Sequence, residues 1–171
     1  MTSTELAAKE VAIESLMVMA SGSPADFRSL FHPDATNRMA VDEPLACRGR
    51  GPEAYYATAE WLRGAYADLG WTVEDAVVDG DLVVLHATMS GRHTGPFVTY
   101  DENGRAAQAF PPTGKSFAVT QTHWFRLADG KVIEHWANRD DLGQAMQLGW
   151  IPPTPVFLIR MLLALRKARR S

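Results

Sequence analysis

The side chains of this 171-residue chain best suited to chemistry lie on one strand-like segment, where Gln121 and His123 alternate with Phe117, Val119, Phe125 and Leu127. Alternate residues of a strand share a face, so an apolar row is interrupted by two adjacent polar groups. Buried polar groups need partners. Gln121 and His123 therefore either satisfy each other and a neighbour in the core or line a cavity, and a hydrogen-bonded core histidine is the plainer reading. His93 shares the inner row of the preceding strand with Val83, Leu85, Ala87 and Met89, and a second inward histidine favours the cavity. His86 faces the other way with Thr88 and Ser90. At the end of the last strand, Asp140 and Asp141 precede Leu142-Gly143-Gln144, where a helix should begin. One of the two is expected to be the helix cap, and the choice falls on Asp141. Asp140 is then left at the sheet's end, where a carboxylate facing an apolar cavity is placed to exchange protons.

Other chemistries find little support. Cys47 is the single cysteine and has no evident histidine beside it, so neither an internal disulfide nor a thiol nucleophile is expected. The five histidines are far apart in sequence, and no metal site is expected.

The elements that must position these residues follow from periodicity. Residues 5 to 20 carry Leu6, Ile13, Leu16, Met17 and Met19 at roughly helical spacing, and Ser23-Pro24 with Asp26 opens a short second helix to about Phe31. A short strand is expected over 36 to 41, and Gly51-Pro52 opens a helix running to Leu69-Gly70. The period then changes to two. Trp71 to Val78, Leu82 to His93, Ser116 to Leu127 and Lys131 to Arg139 read as long strands joined by Asp79-Gly80-Asp81 and Asp129-Gly130 turns. Helices followed by a strand meander imply an α+β domain with the helices packed on one face of a curved, mostly antiparallel sheet. On the last strand Val132, Trp136, Asn138 and Asp140 share one face and Ile133, His135 and Ala137 the other, and a bulge would mix the two. Phe97 to Phe110, with Asn103-Gly104 at its centre, reads as a protruding hairpin or lid.

Composition sets the limits. With 46% hydrophobic and 22% charged residues the chain reads as one ordinary folded domain over 1–153 followed by an extension, 154–171. That extension, Thr154-Pro155 and then Val156 to Leu165, predicts a capped helix apolar almost all round, with five basic residues and no acidic one. The rest holds 12 basic against 20 acidic side chains, net −8, so no nucleic-acid surface is expected. Packing of the tail on the domain or on a second copy is favoured over membrane contact. The N-terminus has no signal-peptide character, and a cytoplasmic protein is expected.

At these residues the sequence resembles the SnoaL-like polyketide cyclases, or ester cyclases, of the superfamily that includes nuclear transport factor 2 and ketosteroid isomerase. Arg48-Gly49-Arg50-Gly51-Pro52-Glu53, Gly80-Asp81-Leu82-Val83, Gly91-Arg92-His93-Thr94-Gly95, Pro112-Thr113-Gly114-Lys115, Asp129 to Trp136, and Asp140-Asp141-Leu142-Gly143 through Gln147-Leu148-Gly149 carry the likeness, in order, over about residues 5 to 150. The resemblance implies a cone-shaped α+β barrel with a deep apolar cavity, usually a homodimer. It also implies a cofactor-free aldol closure of an apolar, polyketide-like ester, with an aspartate as acid and base. By position after Trp136, Asp140 matches that aspartate. Gln121 and His123 match the polar pair of the preceding strand, and Asn37 and His93 match polar positions of the pattern. Asp140 and His123 are thus the catalytic candidates, and Gln121, Asn37, His93, Trp136, Met89 and Phe125 the substrate-binding ones. An epoxide hydrolase on the same fold, for which Arg139 beside Asp140 offers half of an Asp-Arg-Asp set, and a non-catalytic binding module are the alternatives.

Overall fold

The structure is a computed structural model and describes residues 2–170. Two reciprocal side-chain caps start the chain. Thr2 and Glu5 begin α1 (Ser3–Ser21), and Ser23 and Asp26 begin α2 (Pro24–Leu30), with Pro24 in the first turn where its missing N–H costs nothing. α2 runs directly into β1 (Phe31–Asn37), five residues ahead of the strand expected at 36 to 41. Pro33 sits within this strand, and the pairing is irregular between Phe31 and Thr36, as an edge position permits.

After a 3-10 turn at Leu45–Arg48 comes α3 (Pro52–Ala65). Its cap, Gly51, has φ 81° and passes so close to β1 that a Cβ would lie 2.5 Å from the Pro33 carbonyl oxygen, which only glycine avoids. The helix ends at Ala65 instead of Leu69. Tyr66 already pairs with His93, and β2 (Tyr66–Asp79) takes over, bulging near Asp68, whose φ is 55°. Pairing to the long neighbour strand overrides the local helical pattern.

β2, β3 (Leu82–His93), β6 (Ser116–Ala128) and β7 (Lys131–Arg139) form an antiparallel meander with β1 added in parallel, in the order β1-β7-β6-β3-β2. The fold is the expected α+β one. Odd residues of β3 and β6 are buried beneath α1, α2 and α3, where Phe27, Phe31, Tyr55, Leu85 and Phe125 share one core. On β7 a bulge does mix the faces. Val132 pairs with Leu127 and Glu134 with Arg126, so Ile133 is extra, and even-numbered Val132 and odd-numbered His135 and Ala137 all turn inward.

Phe97 to Phe110 forms the expected hairpin, β4 (Phe97–Tyr100) and β5 (Ala106–Phe110), but it does not protrude freely. Trp61 donates its indole N–H to the Val98 carbonyl at 2.9 Å. The last helix, α5 (Pro155–Ala168), lies against the hairpin through Ala164, Leu165 and Ala168 on Val98, Ala106 and Ala109. α4 (Asp141–Leu148) precedes it and closes one end of the sheet. The outer side of α5 leaves Val156, Ile159, Leu162 and Leu163 exposed. Among the described residues, no helix is long and apolar enough to cross a membrane.

Candidate active site

Between the helices and the concave face of the sheet lies a cavity of about 300 Å³. Its walls are apolar and aromatic: Leu16, Met19 and Phe31 on one side, Trp61, Leu62, Phe97, Phe110 and Trp150 toward the hairpin, and Met89 and Phe125 from the sheet. Such a space suits a planar, largely hydrophobic ligand.

One continuous polar chain crosses it. Asn37 Oδ1 lies 3.2 Å from His135 Nδ1, His135 Nε2 3.0 Å from His123 Nδ1, and His123 Nε2 2.9 Å from Gln121 Oε1. Both ends are acceptors. Asn37 Oδ1 also accepts the Met39 backbone N–H at 3.0 Å, and Gln121 Oε1 accepts the Trp71 indole N–H at 3.1 Å. Three contacts between two acceptor ends need three N–H groups, while two neutral imidazoles carry two. Burial opposes the third proton: it pushes His123 down to about 4 and, with His123 and Arg139 adding repulsion, His135 well below its ordinary value. The neutral pair is therefore one hydrogen short. A negative oxygen arriving in the cavity would offset the burial and draw in the missing proton.

The cavity mouth is charged. Arg139 follows Ala137 on the inward row of β7 and pairs with Asp141 at 3.3 Å, while Tyr66 and Gln144 stand nearby. On the wall, Glu43 is 2% exposed, and its Oε2 accepts the Thr58 hydroxyl at 2.5 Å. Burial raises its pKa, with Thr58 and Arg139 acting in the opposite direction. Among the described residues, no group of three or more His, Cys, Asp and Glu side chains is gathered so as to hold a metal ion.

Five of the sequence-derived candidates meet here: Gln121, His123, Asn37, Met89 and Phe125 all line the cavity. Three do not. Asp140, taken for the cavity carboxylate, is the helix cap: its Oδ1 accepts the Gly143 N–H at 2.8 Å, and it is exposed outside the lining. Asp141, taken for the cap, is the one at the mouth. The exchange follows from the β7 bulge, which turns the odd residues inward and makes Asp140 the outward residue next to the helix start. Trp136 also points outward, stacked on Trp124 at 5.9 Å with the Arg38 guanidinium over its ring at 4.4 Å. His93 is fully buried but outside the cavity lining, edge-on to Trp150 with Nδ1 3.4 Å from the Thr113 hydroxyl. Sequence reading missed His135, hidden by the bulge, and Glu43, which sits in a turn where no periodicity marks a face.

A helix-covered, curved, mostly antiparallel sheet enclosing an apolar cavity with polar groups on its strands is the architecture of the cone-shaped α+β barrels. A profile of the SnoaL-like polyketide cyclases matches residues 11–148, and the chain belongs to that family. It is 31% identical over 136 residues to the aklanonic acid methyl ester cyclase DnrD of Streptomyces peucetius, covering 79% of this chain and 86% of that one. To the nogalonic acid methyl ester cyclase of Streptomyces nogalater it is 27% identical over 130 residues, 75% of this chain and 87% of the other. Among solved structures, TsrD from Streptomyces laurentii superposes with a TM-score of 0.65 at 27% identity, over 87% of this chain and 98% of that one.

Proposed function

We propose that this protein is a cofactor-independent cyclase that closes a ring in a small, apolar, polyketide-like carbonyl ester by an intramolecular aldol step. The observation that carries the reading is the polar chain Asn37, His135, His123 and Gln121 set into a largely apolar cavity. Removing a proton from carbon between two carbonyls places negative charge on oxygen. The under-protonated histidine pair stabilises it, while the aromatic walls hold the folded substrate and exclude water. A carboxylate takes the carbon-bound proton and returns it to the new alkoxide. The family's relatives named as methyl ester cyclases support the same class of substrate. A homodimer in the cytoplasm, as expected from the sequence, belongs to this reading.

The test is incubation with aklanonic acid methyl ester and nogalonic acid methyl ester, followed by chromatography with mass detection. Ring closure gives a product of unchanged mass and new retention. Arg139 with an acidic side chain at the mouth also fits the hydration alternative, in which an epoxide would gain the mass of one water. Recovery of both esters unchanged would overturn the cyclase reading.

A further inference from the structure

We infer that Glu43 is the general base of the cavity, the group that takes the proton from the substrate carbon and later returns it. The inference rests on the cyclase reading above and deepens it. The inward residues of β7 beyond its bulge are His135, Ala137 and Arg139, none of them an acid, and Asp140 is spent on capping α4. Asp42 and Asp141 also border the cavity, but both are exposed, and Asp141 is held by Arg139. Among the described residues, Glu43 is the only buried acidic side chain, and it faces the cavity.

Its setting is rigid. The Tyr100 backbone N–H donates to the Asp42 carbonyl at 2.8 Å, and Arg48 Nε donates to the Glu43 carbonyl at 2.8 Å, fixing the turn from two sides. Thr58 on α3 holds Oε2 from behind. The charged and titratable groups around the carboxyl are Arg139 from β7, Tyr55 from α3, Cys47 from the 3-10 turn and Asp42 beside it. Burial raises the affinity of Glu43 for a proton, while the Thr58 hydroxyl and Arg139 act in the opposite direction and favour the carboxylate.

The step balances within the substrate. The carbon-bound proton passes to the Glu43 carboxylate, and the C–H electron pair becomes the enolate. The enolate carbon attacks the second carbonyl, forming the carbon–carbon bond as the carbonyl π pair moves to oxygen. That alkoxide takes the proton back from Glu43.

Two readouts test this. In the first, Glu43→Gln, which keeps an acceptor for Thr58, should lower kcat on a turned-over ester by about 10² to 10⁴ with KM little changed, while Asp140→Asn stays within a few-fold of wild type. The second needs no turnover. 4-Nitrophenolate imitates a planar enolate, so wild-type protein should bind it with one proton taken up at Glu43 and one drawn to the histidine pair, its affinity falling about a hundredfold per pH unit above the phenol's own pKa. In Glu43→Gln, where only the histidine pair takes up a proton, that fall should lessen to about tenfold per pH unit, as absorbance titration will show. If the esters are inert but the nitrophenol titrations differ as stated, the cyclase reading fails and Glu43 stands as the cavity's proton acceptor. Equal pH dependence in both proteins, or an ester turned over at the wild-type rate by Glu43→Gln, overturns the assignment.

Discussion

Replacing His123 by Leu separates a catalytic from a purely structural role for the histidine pair. Leu roughly keeps the volume but removes both ring nitrogens. Gln121 Oε1 retains the Trp71 indole, whereas His135 Nε2 loses its partner, one orphaned buried group costing about 1 to 3 kcal/mol at neutral pH. The effect must depend on pH with a defined sign. Wild-type His123 has its pKa pushed down from 6.5 to about 4 by burial, so the unfolded chain binds the proton first as the solution is acidified. Its contribution is fully present above pH 6.5 and is lost as pH falls toward 4, at most about 3 kcal/mol for a shift of that size. Urea unfolding at pH 7 and pH 4.5 should therefore show the variant less stable than wild type at neutral pH, with the gap narrowing or reversing in acid. Turnover should fall by about 10² to 10³, the loss typical of one oxyanion donor. Wild-type turnover combined with a lowered melting point would leave His123 a core hydrogen bond, and a stability gap independent of pH would refute the assignment of its protonation state.

Glu43→Gln should shift stability with the opposite sign, because burial raises the carboxyl's pKa: wild type loses stability as pH rises through that value, so the variant should gain on wild type from pH 4 to pH 8 in thermal melts. Asp140→Ala should cost about 1 kcal/mol by uncapping α4, and Asp140→Asn almost nothing, measured by chemical denaturation. Gly95→Ala should destabilise by about 3 kcal/mol or more, since a Cβ there would stand 1.9 Å from the Gly64 carbonyl oxygen; a normal melting point would show that this close approach is not maintained in solution. Deleting residues 155 to 171 should uncover Val98, Ala106 and Ala109 and raise amide exchange across residues 97 to 110, with ligand affinity falling because Phe97 and Phe110 also line the cavity.

Much of this molecule is written in local pattern. The period of two along Leu82 to His93 and Ser116 to Leu127 states which side chains face inward, because a strand's alternation admits one register once one face is apolar, and so Gln121, His123, Met89 and Phe125 were found in the cavity from sequence alone. The caps of α2 and α5, Ser23 and Thr154, are equally local, each an oxygen three residues ahead of an amide it must accept from. What escaped depends on groups distant in the chain. The helix after Gly51 stops at Ala65 because β3 offers Tyr66 a partner in His93, a decision made by pairing rather than propensity. A single extra residue at Ile133 reverses the faces of β7, bringing His135 to His123 and sending Trp136 and Asp140 outward, and nothing in the sequence of one strand records a bulge that exists only against its neighbour. Glu43 lies in a turn without periodicity, and its burial arises from α3, β4 and β7 closing around it, so its chemistry is a property of the tertiary structure.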